Sequence, residues 1–209
     1  MSNILIHGLG QNSQSWDNTV IYLKKNGIDT ICPNLFEITN NNLVNYKNMY
    51  SAFSDFCNNQ EEKVNLCGLS LGGILALDFA KEYPEKVNSI ILIGTPYKIP
   101  KALFKMQSLI FNIMPKATFK KMGCSKRKFI TLVNSMSNLN IVKDLEKINC
   151  KSLILCGVKD NVNMKSAKLL NKSIKNSELK IINSSSHEVN IDNPKELSNI
   201  IYSFWKDIQ

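Results

Sequence analysis

Three side chains of this 209-residue chain have the types and the order that acyl chemistry needs: Ser70, Asp160 and His187. A serine hydroxyl is a weak nucleophile at neutral pH, so it needs a base within hydrogen-bond reach and an acid to orient that base. The chain has two histidines, which makes the search for the base short. His187 lies in the polar run Ser184-Ser185-Ser186-His187-Glu188, directly after an apolar strand-like segment. Asp160 follows another such segment, in Gly157-Val158-Lys159-Asp160-Asn161, where a turn or helix N-cap is the competing reading. Asp192 and Asp144 are weaker rivals for the acid. The first sits in a turn before the last helix, the second in a helical insertion.

Ser70 is the centre of Gly68-Leu69-Ser70-Leu71-Gly72-Gly73, between an apolar strand (64–67) and a helical stretch (74–82). Gly-x-Ser-x-Gly in that setting is the pattern of a nucleophile elbow. A turn that throws a serine off a strand end strains the backbone, and the flanking positions must lack side chains where strand and helix meet closely. Gly68 and Gly72 are the elbow glycines. An oxyanion also needs donors fixed in advance. The Leu71 amide, next after the serine, supplies one. The loop His7-Gly8-Leu9-Gly10 supplies the other through Leu9, and His7 is read as shaping that loop rather than as a second base.

Residues 3–6, 28–32, 64–67, 87–93, 152–156 and 179–182 read as six strands, alternating with helices over 16–25, 43–58, 74–82, 165–175 and 194–207. Asn193, Pro194 and Glu196 have the spacing of a capped helix start. Strand–helix alternation predicts an α/β fold with a mainly parallel sheet. Residues 34–42 read as a polar loop. Residues 97–147 break the alternation with about fifty residues of helical pattern and no strand, which predicts a helical lid over the strands' C-terminal ends. The core is then 1–96 and 148–209. Phe104, Leu109, Phe111 and Met114 of the lid's apolar run are candidates to line an acyl pocket, with simple packing on the body as the alternative.

Composition narrows the function further. An apolar fraction of 44% and no apolar run near the roughly 20 residues that span a bilayer describe a globular chain with no transmembrane segment. The N-terminus lacks a signal-peptide pattern and the six cysteines are scattered without metal-ligand spacing. A cytoplasmic, reduced protein needing no metal or cofactor is expected. The net charge of +9 is concentrated: nine Lys/Arg and no acid lie between Lys98 and Lys128. That run suits a solvated face, or an anionic substrate, carrier protein or membrane surface. No stacking aromatics or binding motif accompany it, which argues against nucleic acid.

With these residues in place, the chain resembles the α/β-hydrolase superfamily over nearly its full length. The resemblance is carried by His7-Gly8-Leu9-Gly10, Gly68-Leu69-Ser70-Leu71-Gly72-Gly73, the stretch from Ala80 to Val87, Leu155 to Asp160, and Ser186-His187. It implies a Ser70-Asp160-His187 triad in the superfamily's chain order, an oxyanion hole at Leu9 and Leu71, and carboxylic ester or thioester hydrolysis through an acyl-enzyme. Serine at position 70 disfavours the aspartate-nucleophile branches. The usual N-terminal antiparallel strand pair is missing, so six strands are expected. The basic lid looks like that of small esterases similar to pimeloyl-[acyl-carrier protein] methyl ester esterase, which implies an acidic acyl carrier protein or CoA as a possible partner. A hydrolase-fold ligand-binding protein without activity is the reading from another class.

Overall fold

The computed structural model describes residues 1–39, 43–98, 111 and 113–208, Lys121 without its side chain. Strands β1 (Ser2–Ile6), β2 (Val64–Leu69), β3 (Val87–Ile93), β4 (Lys151–Gly157) and β5 (Ser177–Ile182) pair in that order, every pair parallel. The helices are α1 (Asp17–Lys25), α2 (Leu35–Ile38), α3 (Tyr46–Asn58), α4 (Leu71–Glu82), α5 (Lys116–Lys121), α6 (Lys126–Met136), α7 (Asn161–Ser173), α8 (Val189–Asp192) and α9 (Pro194–Lys206).

Successive strand residues point to opposite faces, and both faces are apolar here, as a doubly covered parallel sheet requires. Ile4, Ile6, Leu66, Ile90, Leu92 and Ile154 pack on one side with Phe53 of α3, Leu75 of α4 and Leu170 of α7. Leu5, Cys67, Ile91, Ile93, Leu153 and Leu155 pack on the other with Leu23 of α1 and Leu197, Ile201 and Trp205 of α9. Each such side chain, fully buried, contributes about 1.5–3 kcal/mol. The last helix starts as its sequence indicates, Asn193 accepting from the Glu196 amide with Pro194 in the first turn. Among the described residues no helix is long and apolar enough to cross a membrane.

The sheet has five strands, not six. Residues 28–32 make only one isolated bridge to β1, Ile4 to Ile31. It consists of Ile31 N–H to Asn3 O (2.8 Å) and Leu5 N–H to Ile31 O (2.9 Å). Pro33 has no N–H with which to extend the ladder, and the Asp29 carbonyl is taken by the Asn3 side chain. The expected polar loop is also partly wrong. Asn34 accepts from the Phe36 amide and starts the single turn of α2, whose Leu35 and Phe36 are buried.

The long segment after β3 carries α5 and α6. Its aromatic rings Phe111, Phe119 and Phe129 meet edge-to-face at 4.9 and 5.2 Å between centroids. Ser135 of α6 accepts the Tyr46 amide, anchoring the segment to α3. Phe111 and Met114 pack, partly buried, against the main core cluster. Phe104 and Leu109 lie outside the described residues.

Candidate active site

The parallel register brings the C-terminal ends of β2, β3 and β4 level, with Leu69 opposite Ile93 and Ile93 opposite Leu155. Whatever follows those ends converges. Ser70 follows β2 and precedes α4 with φ +51° and ψ −107°, a conformation that L side chains rarely adopt. Its amide is held by the Ile93 carbonyl at 2.8 Å. Its hydroxyl makes no capping bond to α4, so nothing in the helix competes for it.

Asp160 and His187 are brought together. His187 Nδ1 lies 2.8 Å from Asp160 Oδ2. An ionised carboxylate only accepts, so this bond assigns the proton to Nδ1 and leaves Nε2 as the basic nitrogen. Both groups sit over Gly94, the residue after Ile93. A Cβ there would stand 2.9 Å from His187 Nδ1 and 3.2 Å from Asp160 Oδ2, so only glycine leaves room for the pair. Ser70 and His187 are thus anchored to consecutive residues at the end of β3. Among the described residues no hydrogen bond joins the serine hydroxyl to the imidazole, a contact that often tightens only with substrate.

Asp160 is also the N-cap of α7, so its two sequence readings hold together. Its Oδ1 accepts the Asn163 amide at 3.2 Å, and the Asn163 side chain reaches Oδ1 and Oδ2 at 3.0 and 2.9 Å. Asn163 Nδ2 also stands 3.2 Å from His187 Nδ1. Two donors cannot bond each other, so its hydrogens belong to the carboxylate. Burial alone would push the Asp160 carboxyl up. The bonds from His187 and Asn163 outweigh it and hold the group below the usual range. Asn163 escaped the sequence reading, although a residue three after an N-cap aspartate is where a supporting donor would stand.

The rival acids do other work. Asp192 accepts the Ser186 amide (2.6 Å) and hydroxyl, bracing the His187 loop. Those bonds hold its carboxyl low. Asp144 pairs with Lys147 at 3.4 Å, at the start of a short 3-10 turn.

Leu71 opens α4, where amides lack intrahelical partners. The Leu9 loop lies against the elbow. A Cβ on Gly8 would meet Leu69, and one on Gly72 would stand 2.3 Å from the Ile6 carbonyl oxygen. Among the described residues neither the Leu9 nor the Leu71 amide has an acceptor. His7 shapes that loop from below. It is fully buried, its Nε2 accepts the Leu35 amide (3.1 Å) and its Nδ1 donates to the Gly8 carbonyl (3.0 Å).

Burial lowers the His7 pKa from 6.5 to about 4, against the raising effect of the Gly8 bond. Between those values the unfolded chain holds a proton on this ring that the folded chain refuses, so stability falls as pH falls through the window. Urea unfolding at pH 7 and pH 5 is expected to show about 2 kcal/mol lost from this group alone. His7→Gln should be less stable at pH 7 but should lose that much less on acidification.

A sequential five-stranded parallel sheet, covered on both faces, with a strained serine after one strand and an Asp–His pair after later ones, is the α/β-hydrolase fold. The chain has that fold. A family model described as Hydrolase_4, serine aminopeptidase S33, matches residues 44–134, which include Ser70. A carboxylesterase structure from Nitrososphaera gargenis superposes with a TM-score of 0.86 at 22% identity, covering 100% of this chain and 90% of the other. MenH from S. aureus superposes at 0.82 and 17% identity, covering 100% and 94%. In sequence, monoacylglycerol lipase ABHD6 of Mus musculus is 20% identical over 99% of this chain and 76% of its own length.

Proposed function

We propose that this chain is a serine hydrolase that cleaves a carboxylic ester or thioester. The observation that carries the reading is the 2.8 Å Asp160–His187 pair seated over Gly94, one residue beyond the carbonyl that anchors the strained Ser70. In this mechanism His187 Nε2 takes the Ser70 proton as Oγ attacks the acyl carbonyl. The carbonyl oxygen gains the negative charge and meets the Leu9 and Leu71 amides. The imidazolium, stabilised by the Asp160 carboxylate, gives its proton to the leaving alkoxide or thiolate. Water, deprotonated by the same imidazole, then releases the acid from the acyl-enzyme. The lipase and carboxylesterase named among the relatives support the substrate class.

A fluorophosphonate probe tests this directly. Stoichiometric adduct on Ser70, found by mass spectrometry and lost in Ser70→Ala and His187→Ala, is the expected result. Folded protein that takes no label would replace the hydrolase with a ligand-binding protein of the same fold.

A specific feature favours a second, narrower reading, in which residues 97–147 form a lid that receives an anionic substrate. A cavity of about 1260 Å³ is lined by Lys116, Lys120, Lys126, Arg127 and Lys128. The one acid among the described lining residues, Glu37, accepts from the Asn34 side chain at 2.8 Å. Lys126 also bonds the Met114 carbonyl, so it acts through its field rather than as a free arm. None of the triad residues lines this cavity, but its Phe36 stacks on His7 below the Leu9 loop. An ester carried on phosphopantetheine, as on CoA or an acyl carrier protein, would put phosphate there. Lys116→Glu with Lys120→Glu should raise KM for a CoA thioester about tenfold, with the neutral short ester unaffected and the difference shrinking in salt. Equal effects on both substrates would remove this reading.

A further inference from the structure

Gln11 follows the Gly8-Leu9-Gly10 turn and closes it, its amide bonding the Gly8 carbonyl at 3.2 Å. Its side chain is buried, and every polar valence of its amide is used. Oε1 accepts from the Gly8 amide (3.4 Å) and from Asn190 Nδ2 (3.2 Å). Nε2 donates to Glu188 Oε1 (2.9 Å) and to Asn190 Oδ1 (3.3 Å). Asn190 is fully buried and spends its second hydrogen on the Ser15 carbonyl at 3.0 Å. The two amides thus form a reciprocal pair across 179 residues of sequence.

The ends of this connection are telling. Glu188 is bonded directly to His187 along the chain, and Leu9 is two residues from Gln11. A hydrogen-bonded path from the Leu9 loop to the residue next to the imidazole therefore runs through Gln11 and Glu188. Apolar side chains could hold the same two loops together, but they would not fix their register. A saturated amide pair has one geometry, and sliding either loop orphans buried polar atoms at about 1–3 kcal/mol each.

We propose that Gln11 and Asn190 are positioning residues that set the distance between the Leu9 oxyanion donor and the His187 base. The proposal rests on the hydrolase reading above. The two loops come from opposite ends of the chain and share no strand pairing, since β1 and β5 stand at opposite edges of the sheet. Without the pair, the buried hydrogen bonds that tie the donor loop directly to the base loop are lost, and the transition state needs both groups in place at once. A displacement near 1 Å at such a site costs up to about 100-fold in rate.

The test compares wild type with the double variant Gln11→Leu/Asn190→Leu, which removes both partners and leaves no orphan within the pair. With a short chromogenic ester, kcat should fall about 10–100-fold while KM changes less than about threefold, and fluorophosphonate labelling of Ser70 should slow in parallel. A pair that only packs would move the melting temperature and leave kcat alone. A folded double variant with wild-type kcat overturns the proposal. Should the double variant not fold, Glu188→Ala takes its place, because Glu188 is exposed and its loss removes only one arm of the connection. A severalfold lower kcat is then expected, and wild-type kcat overturns the proposal. Wild-type protein that neither turns over nor takes label fails the hydrolase reading itself, a separate outcome.

Discussion

Ser70→Ala is expected to lose about 10⁴–10⁶-fold in kcat on any ester the wild type hydrolyses, with its fold intact. Among the described residues the hydroxyl makes no capping bond that its removal would break. Asp160→Asn should lose about 10³–10⁴-fold, because an amide can donate to Nδ1 and move the imidazole proton to Nε2, where it faces the serine. His187→Ala added to Ser70→Ala should cost little more, since the groups act as a unit. The strain at Ser70 gives a second handle on the same residue. With φ at +51°, alanine keeps the Cβ that makes this conformation costly and glycine removes it. Ser70→Gly should therefore be about 1–2 kcal/mol more stable than Ser70→Ala in urea. Equal stabilities would mean that the elbow is relaxed and that its geometry does not present the hydroxyl as described.

Much of this site is legible in sequence because its parts are local. The glycines around Ser70 report a constraint within five residues, and the strands report burial on both faces through unbroken apolar runs such as 87–93. Even the N-cap role of Asp160 and its pairing with His187 turn out to be one arrangement. What the sequence hides is set by partners far along the chain. Residues 28–32 have strand composition, but strand length is decided by how many hydrogen bonds a neighbour can complete, and Asn3 and Pro33 limit them. Residues 34–42 look like a loop by polarity, yet Asn34 caps a turn that buries Leu35 and Phe36. Helix α7 starts at Asn161 rather than 165 because the cap, not the apolar period, fixes its first turn. Gln11 and Asn190 carry no local signal, since each is a polar residue whose meaning appears only when the other is beside it.

The glycine after the serine is where fold and chemistry bear on the same atoms. Gly72→Ala is expected to destabilise the protein by more than about 4 kcal/mol, a large share of the roughly 5–15 kcal/mol of a typical domain. A Cβ there would lie 2.3 Å from the Ile6 oxygen, 2.8 Å from the Ile6 carbonyl carbon and 2.9 Å from the His7 oxygen. All three are backbone atoms of β1 or of the residue just after it, and β1 is held in register with β2, so none can rotate away. Gly68→Ala should be as severe, its Cβ meeting the Gly72 backbone at 2.3 Å. Gly73→Ala should be milder, because the obstacle is the Thr95 side chain. Gly27→Ala should cost only about 1 kcal/mol, for its positive φ, with nothing within 4 Å. Urea unfolding of the four variants should return that order. A Gly72→Ala protein within about 1 kcal/mol of wild type would mean that α4 does not approach β1 this closely. The Leu71 amide would then stand too far from the Leu9 loop to share an oxyanion with it. The contact that forbids a methyl group at position 72 is the one that holds the start of α4 against the end of β1, where the proposed donors would have to meet.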